Sequence, residues 1–471
     1  MKKRGILLAV SSLPGKYGVG DFSTEAIKFI QILKQHKINV WQILPLNPIG
    51  YGHSPYQPFS SYTFDEIYIS LEDLQKRGLL HRVNKVPSRA RTNYEQARKI
   101  KEKAIYEAFE IFKKDQQNMD KLQQFLDENS YVKEFADFIS LKELNDGISW
   151  CDWKVSKEDK LDEFNYLSLK HSFAQYILFD EWNKIRQYAN KNGIEIIGDV
   201  PFYVGYDSSD VYYHRESFML DENYHPSCIA GVPPDYFSKD GQRWGNPIWN
   251  WDYLYQHEFK AMMDRLYFAS KFYDIVRIDH FRAFDSYWAI NPTCLTAVDG
   301  KWCYPDGYRF FNEMYQKYPN IQIIVEDLGD LRPEVLYLRD HFNLPGMREL
   351  EFTIFDDEIN NKRIEVENMT YYTSTHDNET LVEWLAKQPR EDKEKLRQRM
   401  RELNMPGKKL SEQLVHYALA RKENLVVISA SDILGLNKTH RMNVPGEVND
   451  VNWTFKLVNF KKISRALYKF F

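Results

Sequence analysis

Cysteine is scarce in this chain, with four among 471 residues. Their positions form neither a CxxC pair nor the spacing of a metal site: Cys151, Cys228, Cys294 and Cys303. So few unpatterned cysteines in a long chain predict reduced thiols and therefore a cytoplasmic protein. The sequence also lacks any apolar run near the roughly 20 residues that a membrane-spanning helix requires.

An excess of charge of one sign is also missing. The 63 lysines and arginines nearly balance the 67 aspartates and glutamates, which gives a net charge of −4. This balance gives no electrostatic reason to expect a nucleic acid or an anionic membrane as partner. No HExxH motif, EF-hand loop or His/Cys cluster occurs, so no metal is predicted. The glycines of Gly15–Gly20 have neither dinucleotide-binding nor P-loop spacing.

What the chain does contain is a series of short apolar runs that end in a carboxylate. Three of them are Asp274–His280, Ile323–Asp327 and Tyr372–Asn378. Other strand-like runs occur along the chain: Ile6–Val10, Val40–Leu46, Ile194–Val200 and Leu425–Ser429. Helical patterns separate these runs, which predicts an α/β fold with parallel strands. Strand-end acids in this order suggest a parallel barrel whose acids converge on one mouth.

Two segments interrupt the alternation of strand and helix. Residues 88 to 146 contain no glycine and no proline, and their apolar positions recur at helical spacing. We therefore expect a helical insertion over approximately residues 75–165. A second insertion, over approximately residues 205–260, is rich in proline, glycine and aromatic residues and is expected to form a loop over the active site. The whole chain, 1–471, is interpreted as one catalytic domain with these insertions.

The acids of the first two runs differ in their surroundings. Arg277 and Asp279 point to the same side of a strand, and a neighbouring guanidinium favours an ionised carboxylate, as a glycosidic nucleophile requires. A structural salt bridge is the alternative. Glu326 follows three large apolar residues, which raise a carboxyl pKa and suit a general acid. Glu326 could instead cap the next helix, a role that Asp327 can fill equally well.

Polar residues at other predicted strand ends complete the candidate pocket. His376 and Asp377 could bind sugar hydroxyls and stabilise positive charge on the ring, although a polar turn is the plain alternative. Asp199 ends another strand-like run and is expected to support the same pocket. The loop that begins at Ser54 lies on the same mouth, where Tyr56 could provide a stacking platform for a sugar. An isolated tyrosine more often serves core packing.

Together these segments resemble the amylomaltases, the 4-α-glucanotransferases of glycoside hydrolase family 77 in the α-amylase clan. The resemblance covers essentially the whole chain in order. Nine collinear blocks carry it: Gly5–Gly20, Gly52–Phe59, Gly198–Asp210, Pro233–Pro247, Val276–Phe284, Val325–Gly329, Gly346–Phe352, Tyr372–Thr380 and Arg441–Gly446.

The resemblance implies a TIM (β/α)₈ barrel, no cofactor and a retaining mechanism. It implies that Asp279 is the nucleophile, Glu326 the acid/base and Asp377 the transition-state stabiliser. It further implies substrate-binding roles for a set of residues, of which those numbered 235 to 244 belong to the loop over the site: Ser54, Tyr56, Asp199, Asp235, Gln242, Trp244, Arg277, His280 and His376. The chain departs from the family pattern at several positions: Phe64-Asp65-Glu66, Ser374, Glu379 and Val451.

The implied activity is transfer of α-1,4-glucan segments from a donor malto-oligosaccharide to the 4-hydroxyl of an acceptor glucan or glucose. A glucan hydrolase of the same clan would use the same acids. The aromatic loop around Trp244 favours transfer, because it could hold an acceptor and exclude water. A non-catalytic glucan-binding protein is the other alternative; it would be indicated by loss of one of the three acids, and all three are present.

Overall fold

The computed structural model describes residues 2–234, 238–329, 331–360 and 367–471. Its strands follow one another along the chain as β1 (Lys3–Leu7), β2 (Val40–Gln42), β3 (Glu195–Val200), β4 (Ile229–Val232), β5 (Gln242–Pro247), β6 (Ile275–Ile278), β7 (Tyr287–Ile290), β8 (Gly300–Cys303), β9 (Ile323–Val325), β10 (Gly346–Glu349), β11 (Met369–Tyr372) and β12 (Leu425–Ser429).

Eight of these strands form a parallel sheet in the order β10-β11-β12-β1-β2-β3-β6-β9. The seam between its two outer strands is bridged where the Val325 N–H donates to the carbonyl of Pro345 (2.9 Å). The sheet is therefore a nearly closed eight-stranded barrel, and the expected α/β TIM barrel is confirmed.

Helices connect the strands and cover the outside of the barrel. They are α1 (Thr24–Gln35), α2 (Leu71–Lys76), α3 (Tyr94–Phe112), α4 (Gln116–Glu128), α5 (Ser130–Leu144), α6 (Leu161–Lys191), α7 (Ser209–Tyr213), α8 (Trp251–Gln256), α9 (Lys260–Phe272), α10 (Gly307–Lys317), α11 (Pro333–His341), α12 (Leu350–Ile354), α13 (Leu381–Lys387), α14 (Arg390–Glu402), α15 (Leu410–Ala420), α16 (Ala430–Ile433) and α17 (Lys461–Leu467).

Inside the barrel, the inward side chains are apolar in a lower layer and charged in the layer nearest the carboxyl ends of the strands. Ile197, Ile275 and Ile324 belong to a small buried cluster, whereas the intervening Val276 and Ile278 belong to the large core cluster under the helices. Because side chains alternate along a strand, the next inward position on each strand lies one layer higher. Those positions are Asp199, Arg277 and Glu326, so the strand pattern itself places charged groups at the carboxyl-end mouth.

Six of the seven expected strands are present, with shifted ends, but the run Tyr372–Asn378 was wrong as a strand, because β11 ends at Tyr372 and Asp377 lies in the loop that follows. The first begins at Lys3 rather than Ile6, and the second ends at Gln42, before Pro45. Strand β10 was not expected, because its four residues include the polar Arg348 and give little apolar signal. Within the segment expected to be loop-like, the structure has α7, β4, β5 and α8, and β4 and β5 join β7 and β8 in a small antiparallel sheet of order β5-β4-β7-β8.

Helices α3 to α6 occupy the segment in which a helical insertion was expected. A buried histidine ties them to the barrel loop, since His171 contacts Glu66 (2.6 Å) through Nδ1 and Glu143 (2.7 Å) through Nε2. The two acids raise the pKa of His171 to about 9 against the opposing effect of burial. Arg98 of α3 makes a parallel contact with buried Asp65 (2.8 Å). Asp65 and Glu66, two departures from the family pattern, therefore both anchor these helices.

Candidate active site

One buried arginine organises the acids at the barrel mouth. Nη1 of Arg277 donates to both oxygens of Asp199, at 2.7 and 2.8 Å, and to Oδ1 of Asp279 at 2.8 Å. Its Nη2 lies 3.9 Å from Oε2 of Glu326. Strands β3, β6 and β9 are neighbours in the barrel, so residues far apart in sequence meet around a single guanidinium.

Glu326 is held by the backbone that follows Asp279. The His280 N–H donates to Oε2 of Glu326 (2.6 Å), and the Phe281 N–H donates to the Glu326 carbonyl (3.0 Å). His280 adopts a left-handed conformation with φ of 52°, which turns the chain sharply after Asp279 and brings the Phe281 N–H to the Glu326 carbonyl. The turn after Asp279 therefore fixes the relative position of the two acids.

The two acids differ in how strongly their protons are held. Burial raises the pKa of Asp279, and Arg277 opposes this rise. Burial also raises the pKa of Glu326, well above its ordinary value, and the nearby Asp279 raises it further. Because Arg277 is hydrogen-bonded to Asp279 and more distant from Glu326, the first proton of the pair belongs on Glu326. The sequence-based assignment of Asp279 as the ionised partner and Glu326 as the protonated partner stays a prediction.

Asp377 lies on a loop that several hydrogen bonds hold rigid. Its Oδ1 accepts from the amide of Asn443 (2.7 Å), and its carbonyl accepts from Arg441 (2.6 Å). Oδ2 lies 3.5 Å from Nε2 of His376. Asp377 is half exposed at 47%, which leaves its carboxylate facing open space. The loop thus presents this acid to the mouth without an arginine partner on its carboxylate among the described residues.

Tyr56 is part of the packed wall of the site. Its hydroxyl donates to Oδ2 of Asp199 (2.8 Å), and its ring stacks on His376 with centroids 5.0 Å apart. Oγ of Ser54 accepts from the Tyr56 N–H (3.3 Å) and shapes the loop. One face of the Tyr56 ring, which was expected to stack on a sugar, is therefore occupied by His376.

Trp244 forms a wall beside the turn that follows Asp279. Its ring meets His280 edge-on at 4.8 Å, its Nε1 donates to Gln242 (3.1 Å), and its carbonyl accepts from Gln57 (3.0 Å). Burial lowers the pKa of His280 to about 3, so its imidazole is neutral and can both donate and accept hydrogen bonds. Asp235, expected beside these residues, lies outside the described residues.

Two features of the site were not expected from the sequence. Glu349, at the end of β10, is buried; burial raises its pKa to about 8, and it accepts from the amide of Asn378 (2.8 Å). Asn443 is the direct partner of Asp377. Glu349 and Asn443 both lie within blocks of the sequence that carry the family resemblance. Neither follows a clear apolar run, the pattern that marks Asp199, Asp279 and Glu326.

Asp327 does not cap a helix. Its Oδ1 accepts from the Met347 N–H (2.6 Å), and its Oδ2 pairs with Arg339 (2.5 Å), so it ties β9 to β10. The following helix α11 begins at Pro333, without a side-chain cap. Ser374, which stands where glycine is usual, donates to the buried Asp432 (2.6 Å) and supports the base of the Asp377 loop.

Other kinds of site find no support in the part of the chain that the structure describes. No group of three or more histidine, cysteine, aspartate or glutamate side chains is arranged to hold a metal ion there. Across the same residues, no helix is both long and apolar enough to cross a membrane.

Comparison with known proteins gives similarities that span nearly the whole chain. The profile of glycoside hydrolase family 77, described as 4-alpha-glucanotransferase, matches residues 8–461. The 4-alpha-glucanotransferase of Aquifex aeolicus is 35% identical over 97% of this chain and 96% of its own length. That of Thermus thermophilus is 36% identical over 96% and 94%. The solved structure of amylomaltase from Streptococcus agalactiae in complex with acarbose superposes with a TM-score of 0.94 at 31% identity, over 100% of this chain and 98% of that chain.

Proposed function

Because the chain belongs to glycoside hydrolase family 77 and is a 4-α-glucanotransferase, we propose that Asp279, Glu326 and Asp377 carry out its reaction. The observation that supports this proposal best is the guanidinium of Arg277, which is within 4 Å of both Asp279 and Glu326. One nucleophilic and one protonated carboxyl at the same sugar are what a retaining double displacement requires.

In the first half-reaction, Oδ2 of Asp279 attacks the anomeric carbon of a donor malto-oligosaccharide. The bond from that carbon to the glycosidic oxygen breaks, and Glu326 gives its proton to the leaving oxygen. Asp279 becomes a glycosyl ester, and its lost negative charge allows Glu326 to remain ionised beside Arg277. Asp377 stabilises the positive charge that develops on the ring, since no arginine or lysine among the described residues pairs with its half-exposed carboxylate.

In the second half-reaction, the 4-hydroxyl of an acceptor glucan or glucose approaches Glu326. Glu326 takes the hydroxyl proton, the acceptor oxygen attacks the anomeric carbon, and the ester bond to Asp279 breaks. The configuration is retained because two inversions occur. The wall formed by Trp244 and the neutral His280 shields the ester from water and offers hydrogen bonds to acceptor hydroxyls.

Incubation with maltotriose tests this proposal. Transfer yields glucose together with maltopentaose and longer products, without an increase in total reducing ends. An increase in reducing ends without elongation would contradict transfer and indicate hydrolysis. A crystal structure should place the two carboxyl groups about 5–5.5 Å apart; about 9 Å, with room for a water, would contradict retention.

Three further statements belong to the same proposal. One set of residues is proposed to bind or position the reacting sugars: Asp199, Arg277, His280, His376, Tyr56, Ser54, Gln242 and Trp244. Asp235 is proposed to join them. The segments near residues 75–165 and 205–260 are proposed as insertions around one catalytic domain. Location in the cytoplasm, with no membrane or nucleic acid as partner, stays a prediction from composition.

A further inference from the structure

The small antiparallel sheet carries aromatic residues on one face. Trp288 of β7 pairs directly with Trp302 of β8, and Tyr304 follows Trp302 by two residues, just beyond the end of β8. On the opposite face, Tyr287 and Ala289 are buried in the main core. A sheet with one face on the core normally presents polar residues on the other. Here Trp288 packs against a small buried cluster of Ile229, Ile290 and Ala297, and its Nε1 donates to the carbonyl of Ala297 (2.9 Å), while Trp302 is partly exposed and Tyr304 exposed. We call Trp288, Trp302 and Tyr304 the aromatic strip.

The rings of the strip are available at the surface to different degrees. The ring of Trp288 lies across the neighbouring strand, since a Cβ added to Gly300 would lie 2.5 Å from its Cε2. Trp302 meets Trp288 edge-on at 5.2 Å, and both rings are partly exposed. Tyr304 is 62% exposed. A single exposed aromatic such as Tyr304 is ordinary on a protein surface, but the partly exposed Trp302 two residues before it enlarges the apolar surface that a ligand could contact.

Arginines lie against the strip and join it to the catalytic turn. Arg282 lies over the Trp302 ring (4.5 Å) and Arg332 over the Tyr304 ring (4.6 Å). Arg282 follows Asp279 by three residues, and Arg332 follows Glu326 by six. Nη1 of Arg332 is also 3.7 Å from Asp285 of the same turn. The strip is therefore continuous with the two chain segments that leave the proposed catalytic acids.

We propose that the aromatic strip binds the part of a long α-1,4-glucan that extends beyond the sugars at the catalytic acids. Glucose rings present apolar C–H faces that stack on aromatic rings, and their hydroxyls accept hydrogen bonds from guanidinium donors. The alternation of rings and arginines offers both kinds of contact. The inference rests on the proposed function, because it assigns the strip to the substrate of that site.

The strip predicts that the enzyme favours long glucans over short ones. In Tyr304→Ala, the ratio of kcat/KM for amylose of about 20 glucose units to kcat/KM for maltotriose should fall about fivefold. Arg332→Gln, which keeps the tyrosine, should lower the same ratio. Tyr224→Ala is the matched control, since Tyr224 is 48% exposed and is also covered by an arginine, Arg215 (4.7 Å). It should leave the ratio unchanged.

A binding measurement separates this inference from the proposed function. In the Asp279→Asn background, calorimetric titration with the same amylose should show weaker binding on addition of Tyr304→Ala, and not of Tyr224→Ala. If the wild-type enzyme showed no transfer activity, the proposed function would be refuted. The titration would still measure whether the aromatic strip contributes to glucan binding. The inference would be overturned if Tyr304→Ala and Arg332→Gln left both the amylose-to-maltotriose ratio of kcat/KM and the affinity for amylose unchanged. Equal losses of ratio and affinity in Tyr224→Ala would overturn it too. A change in oligomeric state with unchanged glucan affinity would assign the strip to a protein contact and overturn it too.

Discussion

Two buried arginines of this enzyme have opposite surroundings. Arg421, on the chain before β12, pairs with Glu423 (2.7 Å) and Asp357 (2.8 Å) and donates to Tyr417 (2.8 Å). A second arginine, Arg348, also contacts Asp357 (2.9 Å). Arg421 and Glu423 are fully buried, so this cluster has charges of both signs closely matched and closed to solvent.

The cluster around Arg277 is unbalanced and open. One guanidinium meets Asp199, Asp279 and Glu326, and the last two remain 26% and 22% exposed. With more acids than cations, one acid holds its proton at higher pH, and Glu326 is the one farthest from the arginine. The comparison teaches that a buried cluster with matched charges stabilises the fold, whereas a shortage of cations leaves neighbouring carboxyl groups with different proton affinities, as the proposed acid and nucleophile require.

The largest expected effect tests the nucleophile. Asp279→Asn should lower kcat for maltotriose disproportionation by about 10⁴-fold or more, because the covalent intermediate can no longer form. Thermal unfolding should show that the variant stays folded. Near-normal turnover would exclude Asp279 as the nucleophile. The contacts of Arg277 with Asp199 and Asp279 would then be structural salt bridges.

Glu326→Gln should lower transfer between glucans by about 10³-fold, because the leaving oxygen is no longer protonated. With α-maltosyl fluoride the first step should be largely restored, since fluoride leaves without a proton. The burst of fluoride release measured by stopped flow checks this expectation. An equal loss for both donors would argue that Glu326 positions the substrate rather than acting as the acid.

Glu423→Gln tests the closed, charge-matched cluster around Arg421. It leaves Arg421 with less compensating charge in a closed cluster, so the free energy of unfolding should fall by about 3 kcal/mol. Urea unfolding measures this change. The kcat of the folded fraction should match that of the wild type; a large loss of kcat without a loss of stability would contradict the division between the two clusters.

The smallest effect concerns stability and pH. The folded-state pKa of Glu326 is raised well above 4.5, so from about pH 4.5 upward the folded protein holds more protons than the unfolded chain. The unfolding free energy therefore falls as pH rises through this range. Glu326→Gln removes that loss and should stabilise the protein by about 1 kcal/mol at pH 8, with the gain vanishing toward pH 4.5. Denaturation midpoints across this range measure it, and a pH-independent difference would refute it.

Much of the site could be predicted because strand periodicity is a local property. A buried run that ends in an acid places that acid at the barrel mouth, which located Asp199, Asp279 and Glu326. Asn443 and Glu349 were missed for the opposite reason. Asn443 reaches Asp377 from a segment 66 residues away, and Glu349 ends a strand of four residues that is too short and polar for its pattern to show.

The order of apolar runs, their alternate inward residues and the nine collinear blocks were enough to predict the barrel and the family, which are confirmed, and to propose the three acids. They are encoded within a few neighbouring residues each, so no knowledge of the folded chain was needed. Packing in three dimensions alone settled which acid lies closest to Arg277, that Asp327 joins two strands and does not cap a helix, and that Trp288 and Trp302 are in contact. These outcomes depend on distances between segments that are remote in sequence, and electrostatic and stacking contacts act only over a few ångströms.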